Sequence, residues 1–187
     1  MAKWTPAKAD TLEALAREIL HNYSRGRALV AVDGEGNGPA QFADDLAAAF
    51  GALGNHAVRA SMDDFLRPGL ERSLGGDDSA ASFYREAFDY AAFRRTVAHP
   101  FRSGESEGKE HAVPADAILL VDGAFLNRPE LAGLWNYSIW LDSTARPGHA
   151  DAADALYDAE AHPRSAAVAI IDNSDVEHPR RVFADAC

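Results

Sequence analysis

The sequence predicts an α/β protein, a three-layer sandwich with helices on both faces of a five-stranded sheet. Two observations carry this. First, short apolar runs of strand length recur along the chain, and four of them, Ala28–Asp33, Ile118–Asp122, Tyr137–Asp142 and Ala167–Asp172, end in an acid. Runs apolar at every position suit strands buried on both faces of a parallel sheet. Second, helix-period segments alternate with these runs, and a glycine-rich turn joins the first strand to the next helix.

The elements follow in order. Pro6 stands at a first helical position after Thr5, and Leu12, Leu15, Ala16, Ile19 and Leu20 recur at helical spacing, so residues 6–22 should form an amphipathic helix. Ala28–Asp33 is the first strand. Gly34-Glu35-Gly36-Asn37-Gly38 follows, then a helix from Pro39 to Phe50 with Phe42, Leu46, Ala49 and Phe50 on one face. Residues 56–60 read as a second strand. Two short helices are expected near 80–86 and 89–98, and a loop over 99–112, where Pro100, Gly104 and Gly108 fall. Strands over 118–122, 137–142 and 167–172 complete the set, with a helix at about 149–162 between the last two.

The chain has 187 residues, which suits one domain, and 47% are apolar, enough for an ordinary core. No apolar run reaches the length of a membrane span, and the first twenty residues do not read as a signal peptide. The only cysteine is Cys187, which excludes an internal disulfide or a thiolate cluster and makes a cytoplasmic location the expectation. Net charge is −11 with no basic stripe, so no nucleic-acid partner is expected. The histidines show no metal-ligand spacing, and His99-Pro100 and His178-Pro179 read as loop starts. No Gly-x-Ser-x-Gly elbow is present.

Three segments carry residues suited to chemistry. Between a strand and a helix N-terminus, successive glycines turn backbone N–H groups toward an anion. The phosphate-binding pattern G-x-x-x-x-G-K-[ST] adds a lysine for the phosphate and a hydroxyl for magnesium. The run from Gly34 to Gln41 is one residue short of it: Pro39 stands where lysine belongs, and Ala40 and Gln41 stand where the hydroxyls belong. On its own residues the run also fits a plain strand-to-helix turn. The second segment is Ser61-Met62-Asp63-Asp64-Phe65-Leu66-Arg67-Pro68, after the second strand. A carboxylate at a strand's carboxyl end can accept a proton from a substrate hydroxyl, although acidic turns are also common on surfaces. The third is Leu120-Val121-Asp122-Gly123-Ala124-Phe125, where a strand-ending acid resembles a magnesium-organising aspartate. Arg94, Arg95 and Arg102 could bind a substrate phosphate or simply face solvent. Trp135 and Trp140 read as packing residues.

Together these segments resemble the uridine kinase and phosphoribulokinase group of P-loop kinases, especially its bacterial uridine-kinase-like members. LVAVDGEGNG, SMDDFLRPGLERS, SFYREAFDYAAFRRTVAHPF, ILLVDGAFLNRPELAGLWNYSIWLD and AIIDNSDVEHP occur in that group's order over most of residues 28–179. The resemblance implies a P-loop fold with a parallel sheet in the order 2-3-1-4-5, one domain over 1–187, and a reduced lid near 143–150. It implies Asp63 as catalytic base, with Asp122 as a catalytic acid and magnesium ligand. Gly34, Gly36, Asn37, Gly38, Asp172 and Asn173 would lie at the nucleotide. Phe65, Arg67, Phe125, Arg128 and one of Glu86 or Asp89 would serve a nucleoside-like substrate. ATP and Mg2+ would be the cofactors of an active enzyme, and there is room for a homo-oligomer.

The sequence departs from that group twice. The phosphate loop lacks its lysine and hydroxyl, and the arginine-rich lid is replaced by a stretch holding Arg146 and then Asp151, Asp154, Asp158 and Glu160. Both changes remove positive charge. Two functions therefore stand: ATP-dependent phosphotransfer to a hydroxyl of a nucleoside or similar metabolite, or non-catalytic binding of such a ligand. A weaker third is a phosphate-ester-binding protein unrelated to nucleotides.

Overall fold

The computed structural model describes residues 6–36, 38–70, 77–104, 113–142 and 152–183. Its elements are α1 (Lys8–Asn22), β1 (Ala28–Gly34), α2 (Gly38–Ala52), β2 (Ala57–Ser61) and a 3-10 turn (Met62–Phe65). After these come α3 (Asp77–Glu86), α4 (Tyr90–Phe93), a π-helical turn (Arg94–Ala98), α5 (His99–Ser103) and β3 (Ile118–Gly123). A 3-10 turn (Pro129–Leu131), β4 (Tyr137–Asp142), α6 (Ala152–Ala161), α7 (Pro163–Ala166), β5 (Ala169–Asp172) and β6 (Arg180–Val182) complete the chain.

The sheet has six strands in the order β2-β3-β1-β4-β5-β6. The first five are parallel in the expected order, and β6 pairs antiparallel with β5. The expectation of five strands is thus corrected to six. A three-residue strand reading Arg-Arg-Val has no apolar run to announce it, and it is fixed by its partners. Arg180 bridges Asp172, and Arg181 pairs with Glu18, which also accepts the Tyr137 hydroxyl.

Alternation along the strands builds two cores, one per sheet face. Val30, Val32, Leu120, Ile139 and Leu141 pack with Leu15 and Ile19 of α1 and Phe42, Leu46 and Phe50 of α2. Leu29, Ala31, Leu119, Val121 and Trp140 pack with Phe83 and Tyr84 of α3, Phe93 of α4, Phe101 of α5 and Tyr157 of α6. Asn136 anchors the sheet's amino end: its side-chain oxygen accepts the Leu29 N–H at 2.9 Å, and its own N–H donates to the Leu29 carbonyl at 2.8 Å.

The loop expected from residue 99 is helical as far as Ser103. Pro100 falls in the first turn of α5, where a missing N–H leaves no bond unmade. The wider π turn before it, closed by the His99 N–H to the Arg94 carbonyl, accommodates the ring. Gly104 then ends the helix with φ +80°.

Leu46 sits at the centre of the α2 face and is fully buried. Leu46→Ala should destabilise the protein by about 2–5 kcal/mol in urea unfolding. A loss below about 0.5 kcal/mol, the scale of a surface substitution, would contradict the seating of α2 on the sheet.

Candidate active site

The strands' carboxyl ends bring the sequence-predicted residues to one edge. β1 closes with Asp33 and Gly34. A Cβ at Gly34 would stand 3.1 Å from the Leu141 Cβ and 3.2 Å from the Leu141 carbonyl, so only glycine passes here without displacing β4. Gly36 turns the chain at φ +65°, and Gly38 opens α2. Asn37 lies outside the described residues, as does the expected lid near 143–150. Pro39 is buried in the first turn of α2, where it offers no N–H to an anion. Asn173 lies against the start of α2, its amide nitrogen 3.8 Å from where a Gly38 Cβ would be. Together with Lys8, Gln41 and Phe42 it lines a cavity of about 40 Å³. Lys8 is ion-paired there with Asp45. Asp172 does not line this cavity: its oxygens accept from Ser174 and Arg180, and those bonds, the serine hydroxyl's first, hold its pKa below the usual carboxylate range.

The segment after β2 is built as a pair of short strands' ends. Leu66 and Phe88 form an antiparallel bridge; the Arg67 N–H donates to the Ala87 carbonyl at 2.7 Å, and the Asp89 N–H to the Phe65 carbonyl at 2.9 Å. This brings residues 65–67 against residues 87–89, with Asp63 before the first set and Glu86 before the second. Asp63, Arg67 and Glu86 are exposed, and Phe65 meets Phe93 edge-on with centroids 5.3 Å apart. Asp89 caps α4, one oxygen accepting the Ala92 N–H at 2.8 Å.

Phe125 and Arg128 turn inward. Phe125, at φ +64°, is the hub of an aromatic cluster, with ring centroids 5.0 Å from Tyr157 and 5.2 Å from Tyr84. Arg128 is only 5% exposed; its guanidinium stands 4.3 Å from the Tyr84 ring centre and donates to the Tyr84 carbonyl and to Glu130. Arg94 and Arg102 donate to the carbonyls of Glu130 and Leu134, so both tie the helices to the loop before β4. Trp135 does similar work, its indole N–H donating to the Leu126 carbonyl at 2.7 Å.

Asp122 is the acid expected to organise magnesium. It is 3% exposed, and both its oxygens are taken: one accepts from Arg59 of β2, the other from the Ser61 hydroxyl at 3.0 Å. Ser61 in turn accepts the Asp63 N–H at 3.3 Å, linking the two acids. Magnesium takes oxygen ligands in near-ideal octahedral geometry, whereas a guanidinium has only donors. The loop hydroxyl that would share the metal is absent, and no three acids, histidines or cysteines are grouped for a metal among the described residues. These residues do not fit a magnesium ion.

On the other sheet face lies a group with no role assigned by the sequence reading. Asp33 is fully buried. One oxygen accepts the Asn127 N–H at 2.9 Å, the Asn127 side-chain amide at 2.7 Å and the Tyr157 hydroxyl; the other has no hydrogen-bond partner among the described residues. Burial pushes its pKa up to about 6, against the opposing pull of those donors. Burial and the Asp33 charge likewise raise the Tyr157 phenol. The strand-ending acid was visible in sequence, but its partners, about 94 and 124 residues away, were not.

The folded-state comparisons agree with this architecture. No family model and no curated protein sequence matches the chain. A structure described as a possible uridine kinase from Bacillus stearothermophilus superposes with a TM-score of 0.68 at 18% identity, covering 87% of this chain and 98% of that one. A protein described as a fructose transport system kinase from Silicibacter sp. TM1040 superposes with a TM-score of 0.51 at 24% identity, covering 83% and 94%. The chain shares the fold of these two structures, a mostly parallel α/β sheet flanked by helices.

Because Asp33 binds its proton more tightly folded than unfolded, its contribution to stability is full below about pH 4 and is lost as pH rises through about 6. Asp33→Asn should remove that fall. The difference in unfolding free energy between wild type and variant should change by about 1–3 kcal/mol between pH 4 and pH 7, measured by urea titration. Parallel pH profiles would contradict the buried, proton-holding carboxyl.

Proposed function

We propose that this chain is a uridine-kinase-like protein that binds a nucleoside, or a small metabolite with a similar hydroxyl, at the carboxyl edge of β2. In this reading it has lost the ATP-dependent phosphotransfer that the resemblance implies. The observation that carries it is the Leu66–Phe88 bridge with its flanking backbone bonds, which hold residues 65–67 against residues 87–89. Asp63 would accept a hydrogen bond from the ligand hydroxyl, Glu86 or Asp89 would take ribose-like hydroxyls, and Arg67 would close over the ligand. The donor half is where charge is missing. Pro39 replaces the lysine, Lys8 is neutralised by Asp45, and Asp122 is held by Arg59. ATP brings about four negative charges to a site whose described cations are already paired, so its binding is disfavoured there.

A second reading, an active ATP-dependent phosphotransferase acting on the same ligand, has one observation in its favour. Asp63 is exposed directly after β2, where a general base can reach a substrate hydroxyl.

Calorimetric titration separates the two. Uridine, cytidine and fructose form the ligand panel, fructose because one structural neighbour is described as a fructose transport system kinase. The proposal expects a saturable heat from at least one of them, weakened about tenfold or more by Asp63→Asn, and none from Mg-ATP. Saturable Mg-ATP binding with consumption of ATP in the presence of the panel would establish the second reading and overturn the first.

A further inference from the structure

Arg59 is the only charged residue of β2. It lies opposite Leu120 in the register, so it points to the face covered by α2. Its guanidinium spans two carboxylates, one amino group on Asp44 of α2 and the other on Asp122 of β3. The side chain is 25% exposed, Asp122 4% and Asp44 66%, so the inner pair is the desolvated one. The Ser61 hydroxyl completes the set on the second Asp122 oxygen. Two carboxylates thus meet one cation, and the hydroxyl holds the far oxygen of the inner one.

We propose that Arg59 is a built-in cation that stands where a divalent metal would stand against Asp122, so that this edge of the sheet works without a metal. Asp44 and Asp122 are then two carboxylates whose shared counter-cation is the chain's own. The inference rests on the reading of Asp122 as the metal-position acid of a uridine-kinase-like fold. It accounts for a paired loss: the loop hydroxyl that shares the metal is gone, and an arginine has taken the metal's charge. Removing the guanidinium leaves two carboxylates facing one gap. Their repulsion is relieved by any small cation with room for oxygen ligands.

The test uses Mn2+ as the probe, read by the electron paramagnetic resonance signal of the free aqua ion and by thermal unfolding. Wild type should leave the signal unchanged at millimolar Mn2+. Arg59→Ala should bind one Mn2+ at least about tenfold more tightly than wild type and gain melting temperature with added Mn2+. The Arg59→Ala, Asp122→Asn double variant should lose both effects. Arg59→Lys keeps a charge at the position and should fold if the alanine variant does not, with a smaller gain in Mn2+ affinity. One-site binding by wild type that Asp122→Asn abolishes would overturn the proposal. So would a folded Arg59 variant that binds Mn2+ no better than wild type. Titrating the nucleoside panel against the same samples keeps the two ideas apart: panel binding without a Mn2+ gain sinks this inference alone, and a Mn2+ gain without panel binding in wild type sinks the proposed function alone.

Discussion

The salt bridge between Arg59 and Asp122 is the constraint on which the site turns. Burying a carboxylate that is 3% exposed costs several kcal/mol of desolvation, and a cation beside it offsets that cost. In a metal-dependent site the solvent supplies it. Here the chain supplies it from the neighbouring strand, and the geometry follows from the register: Arg59 opposite Leu120, Ser61 opposite Asp122, all pointing to the face covered by α2. Asp44 on α2 completes the bridge across the layer, so the same guanidinium that neutralises Asp122 also ties α2 to the sheet.

Two strand-ending acids have opposite fates because strand residues alternate faces. Asp122 points toward α2 and meets a permanent cation. Asp33 pairs in register with Gly123, one step further along, and points to the aromatic side, where it meets neutral donors on Asn127 and Tyr157. Coulomb attraction stabilises the first charge. Only hydrogen bonds stabilise the second, and burial outweighs them. Tyr157 belongs to α6, so the Asp33 cluster fixes that helix on the sheet, while Phe125 and Arg128 fill the space between with rings and a buried guanidinium. The edge after β2 is held by backbone bonds between residues 65–67 and 87–89, and it is tied to Asp122 through Ser61, which accepts the Asp63 N–H.

Much of the fold was legible because strongly buried strands write continuous apolar runs. Ala28–Asp33, Ile118–Asp122 and Tyr137–Asp142 fall within one residue of the observed strands. β6 was not legible, since its three residues are held by ion pairs and carry no pattern. Nor was the helix through Pro100, which depends on a π turn that no local residue type announces. At the site, the positions of Asp63 and Asp122 at strand ends could be read, but their surroundings could not. Arg59 lay in plain view within HAVRA, yet its partners Asp44 and Asp122 are 15 and 63 residues away, and only the sheet order brings them together. The same holds for Arg128: its segment was read as a loop beside the substrate, and tertiary packing against Tyr84 turns it inward.

If Arg59 and Asp122 act as one unit, a double-mutant cycle on unfolding free energy, with Arg59→Met, Asp122→Asn and both together, measures their coupling without reference to any ligand. The expected coupling energy is more than about 1.5 kcal/mol, the double variant being far less damaged than the sum of the singles. Additivity within about 0.5 kcal/mol would contradict it.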